Sequence, residues 1–293
     1  MADRLRGRTL FLSGGSRGIG LAIAKAAAAE GANVAIAAKT AEPHPKLPGT
    51  IYTAAAEIEA AGGKALPVLC DIRFEDQVTA AVQATVERFG GLDCVINNAS
   101  AISLTQTPQT DLKRYDLMTG INSRGTFLVT KTCLPHLLKS EHAHVLTLSP
   151  PLDFSMKWFA NHPAYSVAKY GMSILSLGWA GEFASKISVN CLWPRTTIDT
   201  AAVRNLLGGD AMASVSRTPE IMGDAAVEIL TKNTDFSGWF CLDDLVLANA
   251  GIRDFGGYSV TPGADLQEDF FVPSSAPLPA DANGMVGWRA PEL

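Results

Sequence analysis

Cysteine is scarce and scattered in this sequence of 293 residues. Its five cysteines are an odd number, and no two of them form a C-x-x-C pair. Disulfide frameworks and cysteine-based metal sites both need cysteines in sets at short spacings. We therefore expect reduced thiols in the hydrophobic core of a cytoplasmic protein, with no bound metal. The cysteines are Cys70, Cys94, Cys133, Cys191 and Cys241.

The sequence also lacks a long apolar run and an excess of positive charge. No stretch is apolar over the length that a bilayer requires, and the segment from Met1 to Arg8 has no apolar core of a signal peptide. The net charge of −5 gives no electrostatic reason to bind nucleic acid or an anionic membrane. We expect a small-molecule partner, no nucleic acid and no membrane span.

Apolar runs alternate with helix-period stretches, which predicts one α/β domain. Hydrophobic residues make up 47% of the chain, enough for a large core. Such alternation gives a doubly wound parallel sheet that binds ligands at the carboxyl ends of its strands. The predicted strands are 9–13, 33–38, 65–70, 94–97, 144–149, 187–193 and 238–242. The predicted helices run from the first glycine-rich turn to Glu30 and over 51–61, 75–89, 125–138 and 164–183.

A glycine-rich turn joins the first predicted strand to the first predicted helix. Glycines let a backbone approach a pyrophosphate, and a helix N-terminus offers unpaired N–H groups and the positive end of the helix dipole. The turn therefore predicts a phosphate-binding site, with a plain turn as the alternative. Its predicted binding residues are Gly14, Ser16, Arg17, Gly18, Ile19 and Gly20.

Tyr165 and Lys169 lie four residues apart in a predicted helix, so their side chains share one face. A free phenol has a pKa near ~10, and a cation within a few ångströms favours the phenolate. The spacing therefore predicts an acid/base pair for proton transfer. The same spacing also occurs by chance on ordinary helix surfaces.

Four motifs in this order resemble the short-chain dehydrogenase/reductase family over about residues 8 to 250. They are the turn from Ser13 to Gly20, then Asn97-Asn98-Ala99-Ser100, Asn122, and Tyr165-Ser166-Val167-Ala168-Lys169. Residues 39–47, 98–104 and 192–195 are similar to one branch, the hydroxysteroid-dehydrogenase-like proteins. Some larger members of that branch carry a sterol-carrier domain, which we expect this chain to lack.

The periodic pattern ends near Arg253, and we find no internal repeat. The resemblance implies that residues 1–253 form a Rossmann-type dinucleotide-binding and catalytic domain. Residues 254–293 are rich in glycine and proline as far as Pro291. Such a segment is usually a mobile extension, although an arm over the active site or a neighbouring subunit is the alternative.

The resemblance implies an oxidoreductase that interconverts an alcohol and a carbonyl. Tyr165 would exchange a proton with the substrate oxygen while the nicotinamide exchanges a hydride with the same carbon. Lys169 would hold the nicotinamide ribose and lower the pKa of Tyr165. Asn122 would keep a water near Lys169, with a helix cap as the alternative role. The resemblance also implies a homo-oligomer, either a dimer or a tetramer.

The end of the second predicted strand indicates which nicotinamide cofactor is bound. An acid there hydrogen-bonds the ribose 2′-hydroxyl of NAD, whereas basic groups accept the 2′-phosphate of NADP. Lys39 follows this strand and Arg17 approaches from the glycine turn, so NADP(H) is favoured over NAD(H). Alternatively, both cations are solvated surface groups. By resemblance, Asp71 would contact the adenine, and Asn98 with Ala99 would line the adenosine region.

Two positions depart from the family's pattern. Pro150 occupies the position of the substrate-binding serine, and proline has no donor. Ser149 is the candidate replacement, and Ser155 is a weaker one. Pro194-Arg195 stands where the family usually has Pro-Gly beside the nicotinamide, so Arg195 is expected to reach the cofactor phosphates or an acidic substrate group.

An apolar loop from Pro150 to Pro163 precedes Tyr165. If its side chains line the pocket, the substrate is bulky and apolar, such as a lipid or a steroid, but ordinary core packing is as compatible with the sequence. A catalytically weak or inactive nucleotide-binding protein with a sensing or assembly role also remains open, as does a lipid-binding protein. The apolar residues are Leu152, Phe154, Met156, Trp158 and Phe159.

Overall fold

An eight-stranded sheet is the centre of the computed structural model, which describes residues 3–45 and 47–290. Lys46 and Pro291, which fall in segments discussed above, lie outside the described residues. The strands are β1 (Thr9–Ser13), β2 (Asn33–Ala38), β3 (Lys64–Leu69), β4 (Cys94–Asn97), β5 (His144–Thr147), β6 (Ser188–Trp193), β7 (Trp239–Leu242) and β8 (Gly287–Arg289). Their order across the sheet is β3-β2-β1-β4-β5-β6-β7-β8, with β8 antiparallel to β7 and the other pairs parallel.

Helices cover both faces of this sheet. They are α1 (Gly18–Ala29), α2 (Ile51–Ala60), α3 (Glu75–Phe89), α4 (Leu112–Thr119), α5 (Thr126–Leu137), α6 (Pro163–Glu182), α7 (Ala201–Leu206), α8 (Gly209–Ser214), α9 (Glu220–Leu230) and α10 (Asp243–Asn249). Helices α1, α2 and α9 pack into one hydrophobic cluster, and α3, α5 and α6 pack into a second. Leu10 and Leu12 of β1 belong to the first cluster and Phe11 to the second, because successive side chains of a strand point to opposite faces.

The predicted doubly wound parallel sheet is confirmed. Each predicted strand is present with ends within two residues of the prediction. All five cysteines are buried free thiols, as expected for core residues. Within the described ranges, none of the helices has the length and apolar character that a membrane crossing requires.

The segment after Arg253 packs against the rest of the protein and adds an edge strand to the sheet. Its strand β8 pairs with β7, and Phe271 and Val272 are fully buried. The Trp193 indole donates a hydrogen bond of 2.7 Å to the carbonyl of Phe270. This packing departs from the expected mobile extension and places the segment beside the ends of the strands, as in the alternative of an arm.

Candidate active site

The chain reverses its direction of winding between β1 and β4. Strands β2 and β3 lie on one side of β1, and β4 and later strands lie on the other, so a crevice opens at the carboxyl ends of β1 and β4. A cavity of about 930 Å³ lies in this crevice. Its lining includes all the predicted dinucleotide-site residues of the glycine turn, and also Lys39, Asp71, Asn98 and Ala99.

The glycine turn is shaped for close contact with a ligand backbone. Gly14 has a φ of +76°, and a Cβ there would lie 2.8 Å from Cα of Ala99. A Cβ at Gly20 would lie 2.5 Å from Nδ2 of Asn98, which donates to the Gly14 carbonyl at 2.9 Å. Helix α1 begins at Gly18 without a cap from any described side chain and without an acid in its first turn. Its first N–H groups therefore face the cavity unpaired, which suits a pyrophosphate.

The two cations predicted to select the cofactor differ in their surroundings. Lys39 is exposed at the end of β2 on the cavity wall. Arg17 also lines the cavity, but its guanidinium donates to the carbonyls of Pro48 at 2.8 Å and Gly49 at 2.9 Å. Lys39 makes no such carbonyl contact among the described residues, so of the two cations it is the one without a carbonyl partner.

Asp71 lines the same cavity at the end of β3 and is held by a neighbouring arginine. Nη2 of Arg73 donates to the Asp71 carboxylate at 2.5 Å. This hydrogen bond lowers the pKa of Asp71, so the group is a carboxylate at neutral pH. Its side chain is thereby fixed at the edge of the crevice.

A smaller cavity of about 190 Å³ adjoins the first one, and it brings Tyr165, Lys169 and Pro194 together. Both cavities are lined by Ile19 and Asn98, so they share a wall. Tyr165 and Lys169 are nearly buried, at 5% and 4% exposure. The predicted acid/base pair therefore lies where the larger cavity ends.

Lys169 is held over the end of the sheet by two contacts. Its Nζ donates to the carbonyl of Leu148 at 2.8 Å and lies 5.1 Å from the centre of the Trp193 ring. Burial lowers the pKa of Lys169 to about 8, and the nearby charge of Asp269 opposes this shift. The lysine therefore remains mostly protonated at neutral pH.

The pKa of Tyr165 changes in the direction opposite to our expectation. Burial raises it well above its usual value, and Asp269 raises it further when its carboxyl group is ionised. The predicted lowering by Lys169 is therefore not found, because the loss of water around the phenol raises the pKa. Tyr165 is therefore a neutral phenol, which is the form that donates a proton.

Asn122 lies in a π-helical turn, Gly120–Gly125, that joins α4 to α5. Its amide oxygen accepts from the N–H of Ala101 at 2.8 Å, and its amide nitrogen donates to the carbonyl of Ala101 at 3.0 Å. Asn122 is therefore not the helix cap that was the alternative interpretation. It fixes the loop after β4 where that loop forms the cavity wall.

Neither candidate serine lines the small cavity. Ser149 is fully buried, and its hydroxyl donates to Sγ of Cys191 at 3.2 Å. The hydroxyl of Ser155 donates to Asp153 at 2.6 Å in the exposed loop. The structure therefore does not bring either hydroxyl to Tyr165, since Ser149 points into the core behind Pro150.

Arg195 is also directed away from both cavities. Its Nε forms a buried ion pair with Asp244, and its Nη2 donates to the carbonyl of Pro277 at 2.7 Å. The backbone N–H of Arg195 donates to Asp243 at 2.9 Å. Arg195 is therefore not placed to reach cofactor phosphates or substrate as expected, because these partners hold the guanidinium against the C-terminal segment.

The apolar loop before α6 does not supply the walls of the small cavity. Phe154 and Met156 are 71% and 85% exposed, and Trp158 packs against Phe271. The apolar walls come from other elements, among them Ile198, Val203, Leu207, Met222 and Phe270.

Sequence reasoning missed Asp269 and Phe270, which line the small cavity beside Tyr165. They belong to a segment with no helical or strand period, so no pattern marked them. Trp193, at the end of β6, was recognised only within a motif and is also in the cavity wall.

Comparison with known proteins assigns a family to this arrangement. The profile of the short chain dehydrogenase family matches residues 8–209. Hydroxysteroid dehydrogenase-like protein 2 of Xenopus tropicalis is 57% identical over 95% of this chain and 67% of that protein. The human protein of the same name is 54% identical over 92% of this chain and 64% of its own length. This chain thus spans about two thirds of the relatives' length.

Solved structures share the fold. A short chain dehydrogenase of Mycobacterium thermoresistibile is 54% identical with a TM-score of 0.87, covering 93% of this chain and 97% of that one. A metagenomic short-chain oxidoreductase in complex with NADP is 23% identical with a TM-score of 0.64, covering 79% and 93% of the two chains. Carveol dehydrogenase of Mycobacterium avium in complex with NAD is 21% identical with a TM-score of 0.66, covering 77% and 91%. The neighbours therefore include both dinucleotides and leave the preference open.

Proposed function

Since this chain belongs to the short-chain dehydrogenase family, we propose that it is an NADP(H)-dependent oxidoreductase that interconverts an alcohol and a carbonyl. One observation carries the proposal. Tyr165 and Lys169 line a small cavity that shares a wall with the larger cavity at the glycine turn. A substrate oxygen in the small cavity would thus lie next to both the phenol and the bound dinucleotide.

The residues of the larger cavity suit a dinucleotide. The glycine turn and the start of α1 would hold the pyrophosphate, Asp71 the adenine, and Asn98 with Ala99 the adenosine. Pro194 would lie against the nicotinamide. When bound, NADP(H) supplies or accepts the hydride.

The acid/base pair handles the proton in this proposal. In reduction, the neutral phenol of Tyr165 donates its proton to the substrate oxygen. Lys169 holds the nicotinamide ribose with its ammonium group, and its charge stabilises the phenolate that remains. Asn122 keeps the cavity wall in place through Ala101, and a water beside it would relay a proton to Lys169.

The substrate is proposed to be bulky and apolar, with a lipid- or steroid-like skeleton. Support comes from the side chains of Ile198, Val203, Met222 and Phe270 in the small cavity. These side chains favour an apolar body around a single polar carbon–oxygen group.

The first test concerns the cofactor. Lys39 is expected to contact the 2′-phosphate that NAD lacks, so Lys39→Asp should weaken NADPH binding about 10- to 100-fold, the effect of losing one charge-assisted contact. NADH affinity should stay the same or improve. Fluorescence titration of both cofactors measures this, with Lys64→Asp, an exposed lysine at the start of β3, as the matched control. Equal affinities of the wild-type protein for NADPH and NADH would contradict the preference.

The second test concerns Ser149. Because its hydroxyl faces Cys191 in the core, Ser149→Ala should change turnover by no more than about twofold and stability by about 1 kcal/mol or less. Steady-state kinetics with NADPH and phenanthrenequinone, together with urea unfolding, measure both effects. A loss of turnover beyond about a hundredfold, at unchanged stability and NADPH affinity, would assign the hydroxyl a catalytic role.

We also propose a dimer or tetramer that uses a face of α5 and α6. Phe127, Val167 and Ile174 are each about half exposed there, at 45%, 52% and 54%. Val167 and Ile174 lie seven residues apart on α6, two helical turns, so they share a face that a second copy can cover. Light scattering should give a multiple of the chain mass, reduced to the monomer in a Val167→Lys, Ile174→Lys variant. A monomeric wild-type protein would contradict this.

One observation favours a second function. Neither Ser149 nor Ser155 reaches the small cavity, so neither candidate supplies the serine hydroxyl usual in the family. A nucleotide-binding protein of weak or no activity, or a lipid carrier, would need no such partner. Tight NADPH binding without turnover of any alcohol or carbonyl in a broad panel would favour this alternative.

A further inference from the structure

The small cavity contains one acidic side chain, that of Asp269, on the C-terminal segment. Asp269 lines the cavity together with Tyr165 and Lys169, although it follows them by about a hundred residues in the sequence. Among the described residues, no charged nitrogen of a Lys or Arg side chain lies within 4.0 Å of its carboxylate oxygens. Asp269 is half-buried in this largely apolar cavity, an unusual place for an acid without an ion-pair partner.

The backbone around Asp269 fixes the direction of its carboxyl group. The N–H of Asp269 donates to the carbonyl of Arg195 at 2.9 Å, and the N–H of Phe270 donates to Oδ1 at 2.6 Å. Arg195 is itself anchored by its buried pair with Asp244. One carboxyl oxygen is therefore committed to the backbone, and among the described residues Oδ2 has no hydrogen-bond partner and is available to the cavity.

We propose that Asp269 is a further catalytic residue: its protonated carboxyl group donates a hydrogen bond through Oδ2 to the substrate oxygen, beside the phenol of Tyr165. This proposal rests on the proposed function. In the family, a serine hydroxyl is the second donor to the substrate oxygen. Pro150 occupies the position of that serine, and Ser149 does not take its role. The carboxyl group of Asp269 would therefore supply the second donor.

The electrostatics of the cavity support a protonated carboxyl group. Burial raises the pKa of Asp269 to about 7, while the Phe270 N–H and the charge of Lys169 oppose the rise. The titratable side chains that line the cavity with Asp269 are Tyr165 and Lys169 of α6. His162 does not line the cavity, and its ring packs against the ring of Phe270. The Arg195 side chain is turned to Asp244 and does not neutralise Asp269.

The proton balance of the step is simple. In reduction the carbonyl carbon gains a hydride and its oxygen becomes negative. The Oη–H bond of Tyr165 breaks, and a new O–H bond forms on the substrate oxygen. Asp269 keeps its proton throughout, and its hydrogen bond strengthens as the negative charge develops on that oxygen.

Two variants, Asp269→Asn and Asp269→Ala, show whether Asp269 acts as a hydrogen-bond donor or through its negative charge. Asparagine keeps an oxygen for the Phe270 N–H and presents an N–H donor at any pH, whereas alanine presents none. With NADPH and phenanthrenequinone or decanal, Asp269→Ala should lose about a hundredfold in kcat. Asp269→Asn should stay within about tenfold of the wild type at acidic pH. The matched control is Asp265→Asn, an exposed acid on the same segment, which should leave kcat unchanged.

The pH profile tests which protonation state is active. The donor exists below the pKa of about 7 and is lost above it, so wild-type reduction should fall as pH rises through about 7. In Asp269→Asn this fall should be absent. The decline that follows Lys169 should remain, at a pH below about 8, because the Asp269 charge that raises the pKa of Lys169 is gone. Infrared difference spectra across the same range should show a protonated-carboxyl band that Asp269→Asn lacks, independently of turnover.

The outcomes distinguish this proposal from the proposed function. An active wild type with Asp269→Ala at full activity would overturn the role of Asp269 alone. Asp269→Asn as inactive as Asp269→Ala at every pH would show that the negative charge is required, which also overturns the donor role. A wild type that binds NADPH but reduces neither probe would overturn both the proposed function and this proposal.

Discussion

Replacing Tyr165 with phenylalanine should abolish most carbonyl reduction while NADPH binding remains nearly intact. The hydroxyl is the proton donor in the small cavity, and general-acid catalysis contributes about 10²- to 10⁴-fold to a rate. The dinucleotide is held mainly by the larger cavity, so its dissociation constant should change by less than about threefold. Steady-state kinetics with phenanthrenequinone and fluorescence titration with NADPH measure the two effects separately.

Lys169→Ala is the informative comparison for this variant. Because the ammonium group is expected to hold the nicotinamide ribose and to stabilise the phenolate, its removal should impair both NADPH binding and turnover. If Tyr165→Phe kept most of its turnover, or if it lost NADPH binding as severely as Lys169→Ala, the division of roles between the two residues would be wrong.

Phe271→Ala should destabilise the protein by about 3–5 kcal/mol, the range for truncating a buried phenylalanine. The Phe271 ring is fully buried, with its centre 5.4 Å from that of Tyr170 and 6.1 Å from those of Tyr165 and Trp193. Its loss would leave a cavity behind the phenol of Tyr165. Urea unfolding gives the change in free energy, provided that the m-value is unchanged.

Leu278→Ala is the control on the same segment, since Leu278 is 63% exposed. It should change stability by no more than about 0.5 kcal/mol. A cost below about 1 kcal/mol for Phe271→Ala, similar to that of the control, would show that the C-terminal segment does not pack on the sheet as described.

Local patterns were sufficient to predict the sheet and the glycine turn. The run from Thr9 to Ser13 and the turn that follows are adjacent in sequence, so strand, turn and helix could be assigned from neighbouring residues alone. Tyr165 and Lys169 lie about one helical turn apart, so their shared face could likewise be predicted from their spacing alone. These features depend on contacts between residues close in the chain, which a single sequence displays directly.

The remaining features depend on contacts between distant residues. Arg195 was expected near the cofactor, but Asp244, almost fifty residues later, holds its guanidinium elsewhere. The pKa of Tyr165 depends on how deeply the phenol is buried and on Asp269, and neither was evident from the i, i+4 spacing. Asp269 lies in an aperiodic segment whose docking is determined by the aromatic cluster around Phe271. No local pattern reports such docking.

Transfer of deuterium from NADPH dideuterated at the nicotinamide C4 to a carbonyl carbon tests the central proposal most directly. The wild-type protein would be incubated with this cofactor and a panel that includes decanal and steroid ketones, whose alcohols keep the transferred deuterium on carbon, and the alcohols analysed by mass spectrometry. We predict one deuterium on the carbinol carbon of at least one product, and none with Tyr165→Phe. Alcohols without deuterium, or no alcohol at all from protein that binds NADPH, would contradict hydride transfer by this protein.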